Sequence, residues 1–354
     1  MSAGRRLSIT LCVSWLLGLA LSGCGGGHAK PSDSAGPAGA RPANAHSTAV
    51  RTPAAEPAAA PRATRLPAGH SVAVGSVPEG IVADGKSGLV AVGVRGPAQI
   101  VLLSARSGRV VARVAIPGAP RHLQLAGPGG PLLVPEEPVD RLLELTLPDG
   151  HYRSITVGAH PHDAAADGGR VFVGNEFSKS VWVLKGSRVV RQIAGFVQPG
   201  GLAAVGSAVA VVDVGADTVS LIDARTLRLI GRLRAGVGPT HVVAGGQGRI
   251  YVIDTRGNAV LTYVTRPRLR LVSQTHLSGT PYGVAIDPSR HRLWVTLTAT
   301  DQLVELDTDN GPPRMTAVYA TSRQPNTVAV DRSDGRVFVA DAGPGAVQIV
   351  DPRP

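Results

Sequence analysis

Short runs of apolar, often β-branched residues recur along the chain, separated by turns rich in Gly, Asp, Asn and Pro. One stretch shows the pattern in full: residues 164–166, 170–175, 180–184 and 189–194 each predict a short strand. The repeated part of the chain has no apolar residues at helical spacing. We therefore expect an all-β protein built from many short strands.

A proline marks the start of each repeating unit, after a glycine-rich approach and before a short apolar run. These prolines are Pro78, Pro120, Pro161, Pro199, Pro239, Pro281 and Pro325. They are spaced by 42, 41, 38, 40, 42 and 44 residues, a period typical of solenoids and propellers. Because four strands per unit make up a propeller blade, the pattern predicts a seven-bladed β-propeller of four-stranded antiparallel blades.

The last unit is too short by about one strand, and the missing strand stands at the other end of the repeat. Residues 72–75 precede Pro78 in the register that residues 155–158 hold before Pro161. An N-terminal strand that completes the last blade would close the ring and remove an exposed sheet edge.

The second strands of the units match one another in sequence. They read VFVGN (171–175), VAVVD (209–213), IYVID (250–254), LWVTL (293–297) and VFVAD (337–341). With the third strands that follow, such as SVWVL and AVQIVD, they resemble the YVTN-type β-propeller repeat over residues 70–354, although no unit reads YVTN itself. The resemblance implies the fold, whereas such propellers host many activities.

The N-terminus has the pattern of a bacterial export signal. Arg5 and Arg6 precede an apolar run over residues 7–21, and Leu21-Ser22-Gly23-Cys24 resembles the lipobox of bacterial lipoproteins. This predicts a signal peptide over residues 1–23 and a lipidated Cys24. The alternative is a short uncleaved anchor, but a spanning helix needs roughly 20 apolar residues. An Ala/Pro/Gly-rich disordered tether is expected over residues 24–68, and the propeller over residues 69–354.

Composition narrows the function classes. The two cysteines, Cys12 and Cys24, leave none for a disulfide, a zinc cluster or a thiol nucleophile in the propeller. The formal net charge is +11, but the arginines are scattered and no basic run is interleaved with aromatics, which argues against nucleic acid. We expect a monomer at the extracytoplasmic face of the cell membrane, attached through its lipid.

Three features invite functional readings that their context does not favour. Residues 80–87 fit a phosphate-loop pattern, but a strand follows where the chemistry requires a helix. Residues 307–311 resemble the start of a calcium loop but lack its later glutamate. The aromatics at the centre of second strands are predicted to pack between blades; they are Phe172, Tyr251, Trp294 and Phe338.

The candidate chemistry lies where the innermost strands begin, at one mouth of the central channel. The second residue after an anchor proline is His122, Asp163 or His241 in three units, and the turns between second and third strands add Asp213 and Asp254. Imidazoles and carboxylates are ligands for zinc, manganese or calcium and can serve as general acids and bases. Alternatively, these side chains hydrogen-bond to turn backbone in a solvated mouth. His122 and His241 are three blades apart, so the sequence leaves open whether they meet.

The sequence thus predicts a binding or interaction module at the cell envelope, for a protein, a glycan or a small ligand. The alternatives are a metal-assisted lactonase or lyase with its site at the channel mouth, and a structural companion to a redox system. No cofactor is expected apart from a divalent metal, if the mouth binds one.

Overall fold

The computed structural model describes residues 53–61 and 65–352, all within a unit that spans Val50–Pro354. Seven four-stranded antiparallel sheets make up this unit, which confirms the predicted all-β, seven-bladed propeller. Innermost strands of consecutive blades contact one another around the ring. Within the described residues, no helix is long and apolar enough to cross a membrane.

Strands are numbered β1 to β28 in chain order. β1 is His70–Ala73. Blade 1 contains β2 to β5: Ser76–Asp84, Leu89–Gly96, Ala98–Ser104 and Val110–Ala115. Blade 2 contains β6 to β9: Gln124–Leu125, Leu132–Glu136, Arg141–Leu145 and Tyr152–Thr156. Blade 3 contains β10 to β13: Pro161–Asp167, Arg170–Asn175, Ser180–Lys185 and Arg188–Ile193. Blade 4 contains β14 to β17: Pro199–Val205, Ala208–Asp213, Thr218–Asp223 and Leu229–Arg234.

Blade 5 contains β18 to β21: Pro239–Ala244, Arg249–Asp254, Ala259–Val264 and Arg270–His276. Blade 6 contains β22 to β25: Pro281–Asp287, Arg292–Leu297, Gln302–Asp307 and Arg314–Ala320. Blade 7 contains β26 to β28, Pro325–Val330, Val337–Asp341 and Ala346–Val350, together with β1. A 3₁₀ turn, Glu137–Val139, follows β7.

The ring is closed by β1, which pairs antiparallel with β28 and thereby completes blade 7. His70 lies opposite Ile349 and Ala73 opposite Ala346 in this pairing. The strand begins two residues before the expected stretch, while the amides of Val74 and Gly75 donate to the Gly345 carbonyl. β1 thus covers the edge of β28 that the short last unit would otherwise leave unpaired.

The core consists of buried clusters between neighbouring blades rather than one central mass. Seven such clusters occur in the described part of the chain, one at each interface. One of them packs Ile81 of blade 1 against Phe338 of blade 7, so ring closure buries apolar surface as well as pairing strands. The repeated aromatics lie in these clusters, which confirms their predicted packing role; they are Phe172, Tyr251, Trp294 and Phe338.

The innermost strand of blade 2 is the irregular one. β6 has two residues, and Pro120 makes only an isolated bridge to Glu136. Its first half leaves the regular ladder, and the His122 amide instead donates to the His162 carbonyl of blade 3. This irregularity releases the segment from Pro120 to Leu123 towards the channel axis and positions the site described next.

Candidate functional site

The propeller ring has two faces. The proline face is the end at which the anchor prolines start the innermost strands, with the turns between second and third strands. The opposite face carries the turns between first and second strands, such as residues 85–88 and 331–336. The central channel runs between these two faces.

His122 and His241 meet near the proline face, although blades 2 and 5 lie on different sides of the ring. Their Nε2 atoms are 3.0 Å apart, and their ring planes cross at 86°. Both side chains are buried. One imidazole must donate and the other accept in this hydrogen bond, so the pair carries one shared proton between the two facing nitrogens.

A third imidazole and a phenol extend the pair into a cluster. The ring of His162 lies 4.7 Å from that of His122, and the ring of Tyr282 lies 4.6 Å from that of His241, measured between centroids. Both additional side chains are buried. The four residues come from blades 2, 3, 5 and 6, so packed aromatic rings narrow the channel at this level.

Arg121 connects the imidazoles to a set of charges on the proline face. Its Nη2 lies 2.8 Å from His162 Nε2, and its Nη1 is 2.6 Å from Glu79. Because a guanidinium only donates, His162 accepts at Nε2 and is the tautomer protonated at Nδ1. Arg95 extends the network by pairing with Glu79 at 3.0 Å and Glu137 at 3.2 Å.

The imidazoles are held in the neutral form. Burial lowers the pKa of His122 and His162 well below the usual range, and neighbouring imidazoles and Arg121 lower it further. Burial and then Arg121 lower the pKa of His241 to about 3. Near neutral pH the cluster therefore offers neutral nitrogens that can accept or donate hydrogen bonds, and it adds no positive charge.

The predicted carboxylates do not join the imidazoles through hydrogen bonds or ion pairs in the described structure. Asp163 accepts from the amides of Leu202 and Ala164, both at 2.8 Å, and from the Gln124 side chain at 3.0 Å. Burial raises the pKa of Asp163 to about 7, against the effect of these donors. The carboxylate fastens β10 to β14 and to blade 2.

Asp213 and Asp254 hold the loops that lead into their own blades. Asp213 accepts from the amides of Val197 at 2.7 Å and Gln198 at 2.9 Å. Asp254 makes the same kind of contact, at 2.9 Å to the amide of Gly238. Both therefore take the alternative role of bonding turn backbone. Over residues 53–61 and 65–352, no three or more His, Cys, Asp or Glu side chains are arranged to hold a metal ion. Cys24 lies outside the described residues.

Residues 53–61, from the stretch predicted to be a tether, lie against the proline face. Ala55 and Ala60 are buried there. The backbone of the segment bonds to three blades: Arg256 donates to the Pro53 carbonyl at 2.6 Å, the Ala58 amide donates to Thr298 at 2.9 Å, and Arg323 donates to the Ala60 carbonyl at 3.3 Å. The segment thus crosses blades 5 to 7 on this face, and its Glu56 interacts electrostatically with Arg121.

A cavity of ≈ 600 Å³ occupies the channel on the other side of the imidazoles. His122, His241 and Thr327 line its inner end, while Lys86 and Arg332 line it where the opposite face begins. Between these levels its walls are mostly small aliphatic side chains from the innermost strands; examples are Ile81, Leu125, Ala166, Ala204, Val243 and Val284.

Comparison with known proteins identifies the fold and no closer relationship. No protein-family model matches the chain, and no curated protein matches it either. Among solved structures, the chain is similar to Kuenenia stuttgartiensis hydrazine synthase at 16% identity and a TM-score of 0.69, over 78% of this chain and 96% of that one. It is similar to a streptogramin B lyase at 15% identity and a TM-score of 0.68, over 79% and 96%.

A chain of the mitotic checkpoint complex is similar at 13% identity and a TM-score of 0.71, over 87% of this chain and 100% of that one. At such identities the likeness shows a shared architecture alone. The chain is therefore a seven-bladed β-propeller whose structural neighbours include both lyases and components of protein assemblies.

Sequence reasoning missed Arg121, the residue that ties the imidazoles to the carboxylates. The arginines were judged only by their scatter along the chain. Arg121 stands between an anchor proline and a histidine at the start of an innermost strand, a position that in a propeller points to the channel. That position was the available signal.

Proposed function

We propose that this chain is an exported, lipid-anchored propeller of the YVTN type that binds a small ligand in its central channel at the extracytoplasmic face of the cell membrane. The lipobox-like residues 21–24 support the anchor at Cys24, and the repeated second strands support the family. The propeller acts as a monomer and has no nucleic-acid partner. Its membrane contact is the lipid.

The observation that carries the binding role is the channel cavity. Its ≈ 600 Å³ falls within the size range of small-molecule sites in proteins, about 300 to 1,000 Å³. Such sites combine apolar walls with a few fixed polar groups. Here aliphatic side chains of the innermost strands form much of the wall, Gln124 and Asp163 add polar groups, and His122 and His241 form a polar end held rigid by their mutual hydrogen bond.

The direction of access follows from the same geometry. Packed rings narrow the channel near the proline face, and residues 53–61 lie over part of that face. A ligand therefore enters from the opposite face, between the turns that carry Lys86 and Arg332. The Nε2 atoms at the inner end are bonded to each other and His241 Nδ1 is buried, so the pair closes the channel there as a fixed neutral wall.

A neutral apolar dye tests this proposal without assuming the natural ligand. Because all seven blades and their inter-blade clusters lie within Val50–Pro354, this portion can be used in solution once its folding is checked by circular dichroism. Nile red is expected to bind one to one with enhanced fluorescence. Ala204→Phe, which places a ring in the cavity, should abolish binding.

Two further variants complete this test. Phe177 is 61% exposed on the proline face, so dye that adsorbs to this apolar surface residue would be lost in Phe177→Ala. We expect dye binding to be unchanged in this variant. Ala244→Leu fills the cavity from blade 5 and serves if Ala204→Phe fails to fold. Dye binding that survives every folded cavity-filling variant, or that is absent from the parent protein, would overturn the proposal.

A second candidate is a metal-assisted lactonase or lyase at the channel mouth. The observation that favours it is the convergence of His122, His162 and His241, although in the described residues these side chains are not arranged to hold a metal ion. One structural neighbour is named a streptogramin B lyase. The test is metal content by mass spectrometry, followed by assays of lactone cleavage with and without added Zn²⁺, Mn²⁺ or Ca²⁺. Turnover lost in both His122→Ala and His241→Ala would favour the enzyme over the binding module.

A further inference from the structure

We infer that the ligand of the channel is an anionic amphiphile, a medium-chain carboxylate whose acidic end lies between Lys86 and Arg332 and whose apolar chain extends towards the imidazoles. This inference rests on the proposed function, because it names the class of molecule that the channel binds.

The rim of the cavity at the opposite face presents cationic side chains. Lys86 lies in the turn between β2 and β3, Arg332 in the turn between β26 and β27, and both line the cavity. Blades 1 and 7 are neighbours in the ring, and their turns touch: a Cβ at Gly85 would lie 3.1 Å from Asp331 Oδ1. From these adjoining turns the two side chains lean to either side: Lys86 lies over the blade 2 loop, with its Nζ 3.4 Å from a Cβ built at Gly129, and Arg332 reaches Ile286 of blade 6.

The carboxylates of the rim are turned into the backbone. Asp84 is 4% exposed and accepts from the amides of Ser87 at 3.0 Å and Gly129 at 3.1 Å. Asp331 is 3% exposed and accepts from the Ser333 amide at 2.9 Å. These acids are satisfied by turn N–H groups, so they are not presented to a molecule that enters the channel.

The two cations, by contrast, are exposed and free of acidic partners. Neither Lys86 nor Arg332 forms an ion pair with any carboxylate of the described residues. Arg332 Nε donates to the Ile286 carbonyl at 3.2 Å, which holds its guanidinium at the rim. A carboxylate is the group that a guanidinium and an ammonium bind together.

The rest of the cavity selects an apolar chain. Between rim and inner end the lining is mostly aliphatic, with Gln124 as a polar residue; Asp163 lies at the level of His122 and His241, and its oxygens are already bonded to N–H donors. Arg332 at the rim follows Thr327 at the inner end by five residue steps of strand and turn, roughly 17 Å along the chain. This is the order of length of an extended medium-chain fatty acid, and its CH₂ groups would bury against the aliphatic walls.

The test compares dodecanoate with dodecan-1-ol, two chains of equal length that differ in charge. Both are titrated into the Val50–Pro354 protein loaded with Nile red, below their aggregation concentrations. We expect dodecanoate to displace the dye at about tenfold lower concentration than the alcohol, the effect of one partly exposed charge-assisted contact. Ala204→Phe should remove binding of both.

Variants of Lys86 and Arg332 test whether these two residues cause the preference for dodecanoate over dodecan-1-ol. The double variant Lys86→Gln, Arg332→Gln should weaken dodecanoate about tenfold and leave dodecan-1-ol within about twofold. Lys185 is an exposed lysine at the end of β12, outside the cavity lining, so Lys185→Gln is the matched control and should change neither affinity. Raised salt should weaken the acid and not the alcohol.

The outcomes separate the inference from the proposed function. Equal affinity for acid and alcohol, or an acid affinity that the rim variant leaves unchanged, would overturn the anionic class while channel binding stands. If Nile red binds but neither dodecanoate nor dodecan-1-ol displaces it, the inference that the channel binds an amphiphile would be overturned. Absence of dye binding in the channel would overturn the proposed function itself.

Discussion

Replacing Asp341 by asparagine should stabilise the propeller at neutral pH, by an amount that grows as the pH rises. Asp341 ends β27 and is fully buried; neither carboxyl oxygen accepts a backbone amide, and the neighbouring Ser322 hydroxyl only partly offsets the rise in its pKa. Its counterparts at the same position of blades 4 and 5, Asp213 and Asp254, accept loop amides. In blade 7 the corresponding loop amide does not donate to Asp341, because the backbone N–H of Gln324 donates to Asp301 instead.

The magnitude follows from the pKa of this group. Burial, and then the nearby Asp301 carboxylate, raise the pKa of Asp341 from its ordinary 3.8 to about 8. Between these values the unfolded chain is ionised and the folded protein keeps its proton, so the free energy of unfolding falls as pH rises. At pH 7 the deficit is up to about 4 kcal/mol, and it shrinks by about 1.4 kcal/mol for each pH unit towards pH 4.

Asparagine has the same shape and no titration, so Asp341→Asn should recover most of this free energy. The assay is urea unfolding of the Val50–Pro354 protein between pH 4.5 and 7.5, followed by both fluorescence and circular dichroism. The control is Asp213→Asn, which should destabilise at neutral pH by about 1 to 3 kcal/mol because it disturbs satisfied backbone amides. A stability gain for Asp341→Asn that does not depend on pH, or a loss at pH 7, would show that Asp341 is not a buried acid protonated in the folded protein.

Three further predictions concern ring closure and the charged cluster. Deleting residues 69–75 removes β1, so the protein should melt at least about 10 °C lower and aggregate; calorimetry showing melting like the intact chain would contradict ring closure. Glu79→Gln leaves the Arg121 cation partly buried with less compensation and should cost about 2 to 3 kcal/mol in urea unfolding, whereas a change under about 0.5 kcal/mol would show that the pair contributes little. The pKa of His241 is about 3 in the folded protein, below its value in the unfolded chain, so the folded protein loses stability as the pH falls through 6.5. His241→Phe should reduce this loss by about 2 kcal/mol between pH 6.5 and 5. An unchanged dependence of stability on pH would exclude a neutral buried imidazole at this position.

The blade architecture could be predicted because each element of it has a local signal. The prolines set the register of the innermost strands, and alternating β-branched residues mark the second and third strands. The short last unit also predicted the strand that closes the ring. Local signals were weakest in blade 2, where β6 has only two residues. After Ala126 the chain continues with Gly127, Pro128, Gly129, Gly130 and Pro131, and such residues do not extend a ladder.

The site could be predicted only in part, because it depends on distances across the ring. The sequence placed His122 and His241 at one mouth but could not say that they touch at 3.0 Å. That contact depends on the channel width and on the irregular chain around Pro120. Asp213 carries the same sequence signal as a metal ligand, yet loop amides within its own blade use its oxygens.

The contacts of residues 53–61 could not be predicted, because this segment has no periodic pattern of apolar residues. An Ala/Pro stretch without periodicity indicates a tether, and the segment lies on the propeller through its own backbone carbonyls and amides instead. The segment also needs a position without a side chain on the proline face: a Cβ at Gly238 would lie only 3.1 Å from the Cβ of Ala55. Contacts of this kind depend on the assembled surface and cannot be read from composition.

The central claim is that the channel is a ligand site entered from the opposite face. The most direct measurement is a crystal structure of the Val50–Pro354 protein grown with dodecanoate. We expect one chain in the cavity, with its carboxylate beside Lys86 and Arg332 and its methyl end towards His122 and His241. A cavity filled only by ordered water at saturating dodecanoate, or a ligand bound on the proline face, would contradict it.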